Sequence, residues 1–271
     1  MEIACLAILG IITGSVSALF GIGGGMIIVP AMPYLHHILP NLSFSVHDAI
    51  GISVIQMIFS SVFGSALNAY KKKNLDLHAA LFLGLGGLIG AAFSGVILEL
   101  ISEKHLTLIF LCVSLFTFYK FAFSIKNKPS NVALTIWQQR YTLVIIGALT
   151  GIFAISLGIG GGVMLTPLLM RYLGFDTKKI VPLSLFFIMC AAVSGTYSFI
   201  RHDVITTSIG NGITASVAGL LLGSFSIIGV VIGTKLIDII APTTHHKILI
   251  ALYLLSIIAT LNKVLGYYGL I

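Results

Sequence analysis

Two stretches of this sequence could hold a ligand through backbone alone. Gly21-Ile22-Gly23-Gly24-Gly25 leads into Met26 to Val29 and Pro30, and Gly158-Ile159-Gly160-Gly161-Gly162 leads into Val163 to Thr166 and Pro167. A glycine run permits backbone conformations closed to other residues. A helix that starts from one has its first amides unpaired and carries the positive end of its dipole. Such an end can hold an anion without a buried lysine or arginine. The candidate donors centre on Gly23, Gly24, Gly25 and Met26 in one stretch and on Gly160, Gly161, Gly162 and Val163 in the other. Neutral side chains would complete the site. Gln56, Ser60, Ser184 and Thr196 lead a set that also contains Ser15, Ser17, Ser61, Ser156, Thr166, Ser194 and Asn211. Gln56 and Ser60 lie four residues apart and share a helix face. No Asp, Glu, Lys or Arg falls near the middle of an apolar run, where charge is costly. Amides, hydroxyls and one carboxamide are therefore the available donors. Structural readings stand beside this one: glycines in membrane helices allow close packing, and intramembrane Ser and Thr often bond their own helix. A dinucleotide fingerprint is excluded, because Met26 and Val163 replace its third glycine and no strand precedes either run.

The elements that position these stretches follow from composition. Of 271 residues, 58% are hydrophobic and 8% charged, against about a quarter charged in soluble domains. Such a chain cannot cover a water-facing surface, so the lipid bilayer is its first partner. The apolar runs have the length of spanning helices, about 17–25 residues, which is too long for barrel strands. The glycine runs repeat at one spacing (158 − 21 = 137), and Thr13-Gly14 and Thr150-Gly151 repeat with them. The chain reads as a duplication: a first membrane repeat over 1–125, a polar linker over 126–140 and a second repeat over 141–271. The first half divides into Ile3 to Phe20, Met26 to Leu39, Val46 to Tyr70, His78 to Ile101 and His105 to Phe123. The second divides into Tyr141 to Leu157, Val163 to Leu173, Ile180 to Ile200, Thr206 to Leu236 and His245 to Leu261. Gly90 and Gly95 resemble Gly229 and Gly233 as a further repeat signal.

The net charge of +7 does not point to nucleic acid, because the basic residues lie in short loops where they set topology. If each glycine break turns the chain back, the halves are inverted. Twelve of the fifteen Lys and Arg residues then face the cytoplasm, leaving Lys104, Arg201 and Lys263 outside. If each break lies within one continuous span, the split is nine against six. The positive-inside rule favours inversion, with both termini extracytoplasmic. The helices beside the breaks are short, so a hairpin of two spans and a re-entrant hairpin both stay open. His36-His37 and His245-His246 read as interfacial, and Arg201 as snorkelling or as part of an anion vestibule. Cys5, Cys112 and Cys190 lack metal or disulfide spacing and read as small buried hydrophobes. The N-terminal run lacks the basic region of a signal peptide, and we expect it to be retained as a helix.

The paired Thr-Gly…Gly-Ile-Gly-Gly-Gly…Pro pattern resembles the sulfite exporter TauE/SafE (TSUP) family, over nearly the whole chain. That resemblance implies a bacterial or archaeal inner-membrane permease for sulfur-containing anions such as sulfite and organosulfonates. On residues it carries over only Gly21 to Gly25 with Pro30, and Gly158 to Gly162 with Pro167. The expectation is an all-α, multi-pass membrane protein of two inverted repeats, each of about five helical segments. Its glycine-broken helix pairs would meet near the membrane centre. The expected function is secondary transport of a small sulfur-containing oxyanion across the cytoplasmic membrane, with an anion channel or a uniporter for another small anion as the alternative. No HExxH, acid pair or Ser–His arrangement suggests an enzyme, and no catalytic residue, metal or cofactor is expected. The expected partners are a small anionic substrate and the bilayer, with a homo-oligomer left open.

Overall fold

The computed structural model describes residues 2–35, 44–71, 76–123, 136–173, 177–202, 214–240 and 242–267. Asn211, His36-His37, Lys72-Lys73 and residues 126–135 of the linker lie outside them. Eleven α-helices are found among the described residues: α1 (Glu2–Phe20), α2 (Gly25–Ala31), α3 (Val46–Lys71), α4 (Leu77–Ala91), α5 (Ser94–Leu100), α6 (Glu103–Phe123), α7 (Ile136–Ser156), α8 (Gly162–Leu173), α9 (Thr177–Arg201), α10 (Ala215–Ile239) and α11 (Pro242–Tyr267). A 3-10 turn, Met32–Tyr34, extends α2. Seven of these segments are long and apolar enough to cross a membrane, with α4 and α5 counted as one. Large apolar side chains such as Ile8, Phe63, Leu85, Phe116 and Leu255 are exposed on many helices. An apolar exterior of this extent fits lipid contact rather than water.

Polar residues start the helices where the chain turns. Asp76 accepts from the Ala79 amide at 3.1 Å to open α4, and Thr214 accepts from the Val217 amide at 3.3 Å to open α10. Ser45 and Asp48 bond each other's amides at the start of α3, a reciprocal cap.

The helices pack through glycines, and the register of contacts gives their directions. Gly10 and Gly14 of α1 face Leu222 and Ser226 of α10, so these two helices run the same way. Gly219 and Gly223 of α10 face Ile55 and Phe59 of α3. The second group repeats this with other partners. Gly147 and Gly151 of α7 face Leu83 and Gly87 of α4, while Gly84 and Gly87 of α4 face Cys190 and Ala191 of α9. Thus α1, α3 and α10 form one parallel group, and α4, α7 and α9 another. His47 in the first turn of α3 meets the Leu98 carbonyl near the end of α5 at 3.2 Å, so the groups run in opposite directions. In each group, the first helix of one sequence half lies against the fourth span of the other half.

Two local details differ from the sequence reading. The run from His78 to Ile101 is not one straight helix. It breaks at Ala92–Phe93 into α4 and α5 without a proline. Two hydroxyls from α9 hold the kink: Ser194 donates to the Leu88 carbonyl at 2.7 Å, and Ser198 donates to that of Ala92 at 2.8 Å while accepting from the Gly95 amide at 3.0 Å. Such side chains re-satisfy backbone groups that a broken membrane helix frees. The cysteines are free, but none is fully buried: Cys112 is exposed on α6, and Cys5 and Cys190 are half-buried.

Candidate functional site

The two glycine breaks cross each other. Gly21, Gly23, Gly158 and Gly160 all take left-handed φ values, of 66°, 84°, 63° and 80°, which side-chain-bearing residues rarely adopt. These matched angles bend the chain the same way in both halves. Gly24 adds a fifth, at 63°, and the chain doubles back so that Gly24 lies beside Thr13 of α1. The described return arm, α2 with its 3-10 turn, is then only about 15 Å long at 1.5 Å per residue.

Contact between the breaks is backbone to backbone and reciprocal. A Cβ on Gly25 would collide with the Gly158 carbonyl oxygen, and one on Gly162 would collide with that of Gly21. A Cβ on Gly23 would stand 3.3 Å from the Gly160 Cα, and one on Gly160 would stand 3.1 Å from the Gly23 Cα. Each crossed carbonyl is satisfied by a serine from a long helix. Ser53 of α3 shares its donor between Gly158 O at 3.1 Å and the Ile50 carbonyl at 2.8 Å, and Ser184 of α9 donates to Gly21 O. The crossing therefore lies beside the first halves of α3 and α9. Sequence reasoning missed Ser53. The signal was present, because 184 − 53 = 131 is also the spacing of Gly64 and Gly195, whereas the glycine runs repeat at 137.

The other predicted side chains separate by whether their bonds are already made. Ser60 accepts from the Ser17 hydroxyl at 3.2 Å and donates to the Met57 carbonyl at 3.4 Å. Ser15, Ser61 and Thr166 donate to carbonyls of their own helices. The Thr196 hydroxyl has no partner among the described residues, but it lies twelve residues beyond Ser184 on α9, about 18 Å along the axis, and is not brought to the crossing. Met26 is buried at the start of α2, and the Val163 backbone opens the first turn of α8. At the start of α2, the Gly25 amide donates to the Gly23 carbonyl at 2.6 Å, so part of that end is satisfied internally.

Gln56 is the exception. It is fully buried, and neither its Oε1 nor its Nε2 has a hydrogen-bond partner among the described residues. Its Oε1 stands 2.8 Å from where a Gly24 Cβ would be, so the carboxamide lies over the first break. Leaving such a group unpaired costs about 1–3 kcal/mol, and a native structure rarely keeps one without use. The hydroxyls of Thr150 and Ser156, both buried in the last turns of α7 and without a partner among the described residues, stand just before the second break. At the second break, the position matching Gln56 (56 + 131 = 187) is Phe187, whose ring packs on Gly161 and Gly87. The crossing is thus two-fold in its backbone and one-sided in its side chains.

A second polar cluster lies at the face where α3 and α6 begin. Both ring nitrogens of His47 face acceptors, Glu103 at 3.3 Å and the Leu98 carbonyl. The His47 hydrogen bond holds the Glu103 carboxyl below the ordinary glutamate range, against the opposing effect of burial.

Comparison with known proteins agrees with this architecture. A family model described as "Sulfite exporter TauE/SafE" matches residues 6–260. The chain is 31% identical over 199 residues to a probable membrane transporter protein of Haemophilus influenzae, covering 72% of each chain. It is 27% identical over 218 residues to one of Bacillus subtilis, covering 73% of this chain and 78% of the relative. With a third, from Methanocaldococcus jannaschii, identity is 24% over 266 residues, covering 98% of this chain and 93% of the relative. No solved structure matches the chain.

Proposed function

The chain belongs to the sulfite exporter TauE/SafE family, a multi-pass membrane transporter and not an enzyme, and from that premise we propose that it carries a small sulfur-containing oxyanion, such as sulfite or an organosulfonate, across the cytoplasmic membrane. The observation that carries this reading is Gln56, a buried carboxamide with no hydrogen-bond partner among the described residues, held over the glycine break. An oxyanion offers acceptors to its Nε2 and to the amides that begin α8. It would be read by neutral donors alone, which avoids an ion pair that would have to be broken in every cycle.

In this proposal the two halves are inverted repeats, and the oppositely running helix groups rock against each other about the crossing. Three features support it: the reciprocal glycine contacts, the opposite directions of the groups, and the preponderance of Lys and Arg on one face. Movement of an anion out of a negative interior is favoured by about 2.3 kcal/mol per charge per 100 mV, so export needs the least added machinery.

The test is thermal stabilisation of the purified protein by sulfite, sulfate, thiosulfate, sulfoacetate and taurine, followed by flux into proteoliposomes. We expect sulfur oxyanions to raise the melting temperature and flux to saturate. Stabilisation by cations or neutral metabolites alone would overturn the substrate class, and macroscopic currents would replace the carrier with a channel.

A further inference from the structure

One pocket opens beside the crossing, at the face where α3 and α6 begin. Val29 of α2, Ile50 of α3 and Leu157 at the end of α7 form its inner wall; Thr107 of α6 and Thr260 and Lys263 of α11 form its outer part. Val29 and Ile50 also pack directly against Gly158, so the pocket's floor adjoins one of the breaks. Its donors are few. The Thr107 hydroxyl is spent on the Glu103 carbonyl and that of Thr260 on the Ser256 carbonyl, both at 2.7 Å. The Lys263 ammonium is therefore the one charged donor among the pocket-lining side chains. Its ring contact is Tyr267 at 5.9 Å, and it shares the attraction of the nearby Glu103 with His47. A half-buried lysine against apolar walls is costly unless something compensates it.

We propose that this pocket is an entry site for a small monoanion with an apolar part, its charged group on Lys263 and its alkyl part against Val29, Ile50 and Leu157. The walls would disfavour a fully hydrated dianion such as sulfate, because they offer no further donors to replace its water. This rests on the transport reading above and adds a second, outer station on the path to the crossing.

The experiment measures binding of ethanesulfonate and of sulfate to the full chain in phosphatidylcholine nanodiscs. Wild type is compared with Lys263→Gln, Lys263→Arg, Gln56→Leu and the Lys263→Gln/Gln56→Leu double variant. We expect Gln56→Leu to keep ethanesulfonate binding and the double variant to bind it about tenfold more weakly. Lys263→Gln should weaken the retained site about tenfold, the loss of one charge-assisted bond, with Lys263→Arg near wild type and sulfate weak throughout. Unchanged binding in Lys263→Gln, with loss in Gln56→Leu, would remove the outer station and leave the transport reading standing. No binding of either ethanesulfonate or sulfite to wild type would overturn both. Equal, Lys263-dependent binding of sulfate would overturn the ligand class. Loss of ethanesulfonate binding when phosphatidylglycerol is added would reassign the pocket to a lipid headgroup.

Discussion

Gln56 and Ser53 sit less than one turn apart on α3 and do opposite things. Ser53 closes the carbonyl of Gly158, as Ser184 closes that of Gly21. Removing either hydroxyl leaves a buried acceptor unpaired, which costs about 1–3 kcal/mol. Ser53→Ala and Ser184→Ala are expected to lower stability by similar amounts in chemical denaturation; a loss confined to one of them would contradict the reciprocal arrangement. Gln56 is the reverse case. Replacing it with Leu removes an unsatisfied carboxamide at nearly constant volume, so Gln56→Leu is expected to melt at a higher temperature than wild type. The same variant should lose at least tenfold in oxyanion flux, as expected for a donor bond to a charged ligand. Lower stability with full flux would remove Gln56 from the site. A lone carboxamide in an apolar run is conspicuous in a sequence, so Gln56 was legible. Ser53 was not, because its match to Ser184 appears only once the third helices are aligned at their own spacing.

At the scale of elements, the breaks are built by what glycine lacks. Gly25 and Gly162 lie where a methyl group would overlap a carbonyl oxygen of the other half. Overpacking of this kind costs about 1–3 kcal/mol and shifts backbone. Gly25→Ala and Gly162→Ala are expected to lower the melting temperature and abolish flux together. Gly266→Ala, which meets nothing within 4 Å, should change neither. Wild-type flux in both break variants would show that the crossing does not need its close contact. These breaks were legible because their spacing and glycine content repeat. The kink between α4 and α5 was not. Its causes, Ser194 and Ser198, stand over 100 residues away on α9, and a glycine-rich run gives no local sign of where a distant hydroxyl will bend it. The 3-10 turn after α2 was equally hidden within an apolar run.

For the whole molecule, the all-helical fold and the membrane setting were carried by composition and run length. How the halves interlock was not, because pairing of α1 with α10 depends on surfaces that sequence spacing alone does not match. The topology proposed above can be checked directly. In a background lacking Cys5, Cys112 and Cys190, a cysteine at Ser102 is expected to react with a membrane-impermeant thiol reagent in intact cells. A cysteine at Tyr70, at the far end of α3, should react only after permeabilisation. Labelling of both from the same side would refute the opposed helix groups. The interlocking also bears on how the protein is made. Gly10 meets Leu222, a partner 222 − 10 = 212 residues later in the chain. At about 5–20 residues per second, the ribosome delivers that partner roughly 10–40 s after α1 has emerged. Throughout that interval the small-residue groove of α1 faces lipid or an insertion factor, and the group of α1, α3 and α10 cannot close until the fourth span of the second half arrives. Biogenesis is thereby tied to completion of the chain: a product stopped at the linker holds three of the six core helices yet can assemble neither group.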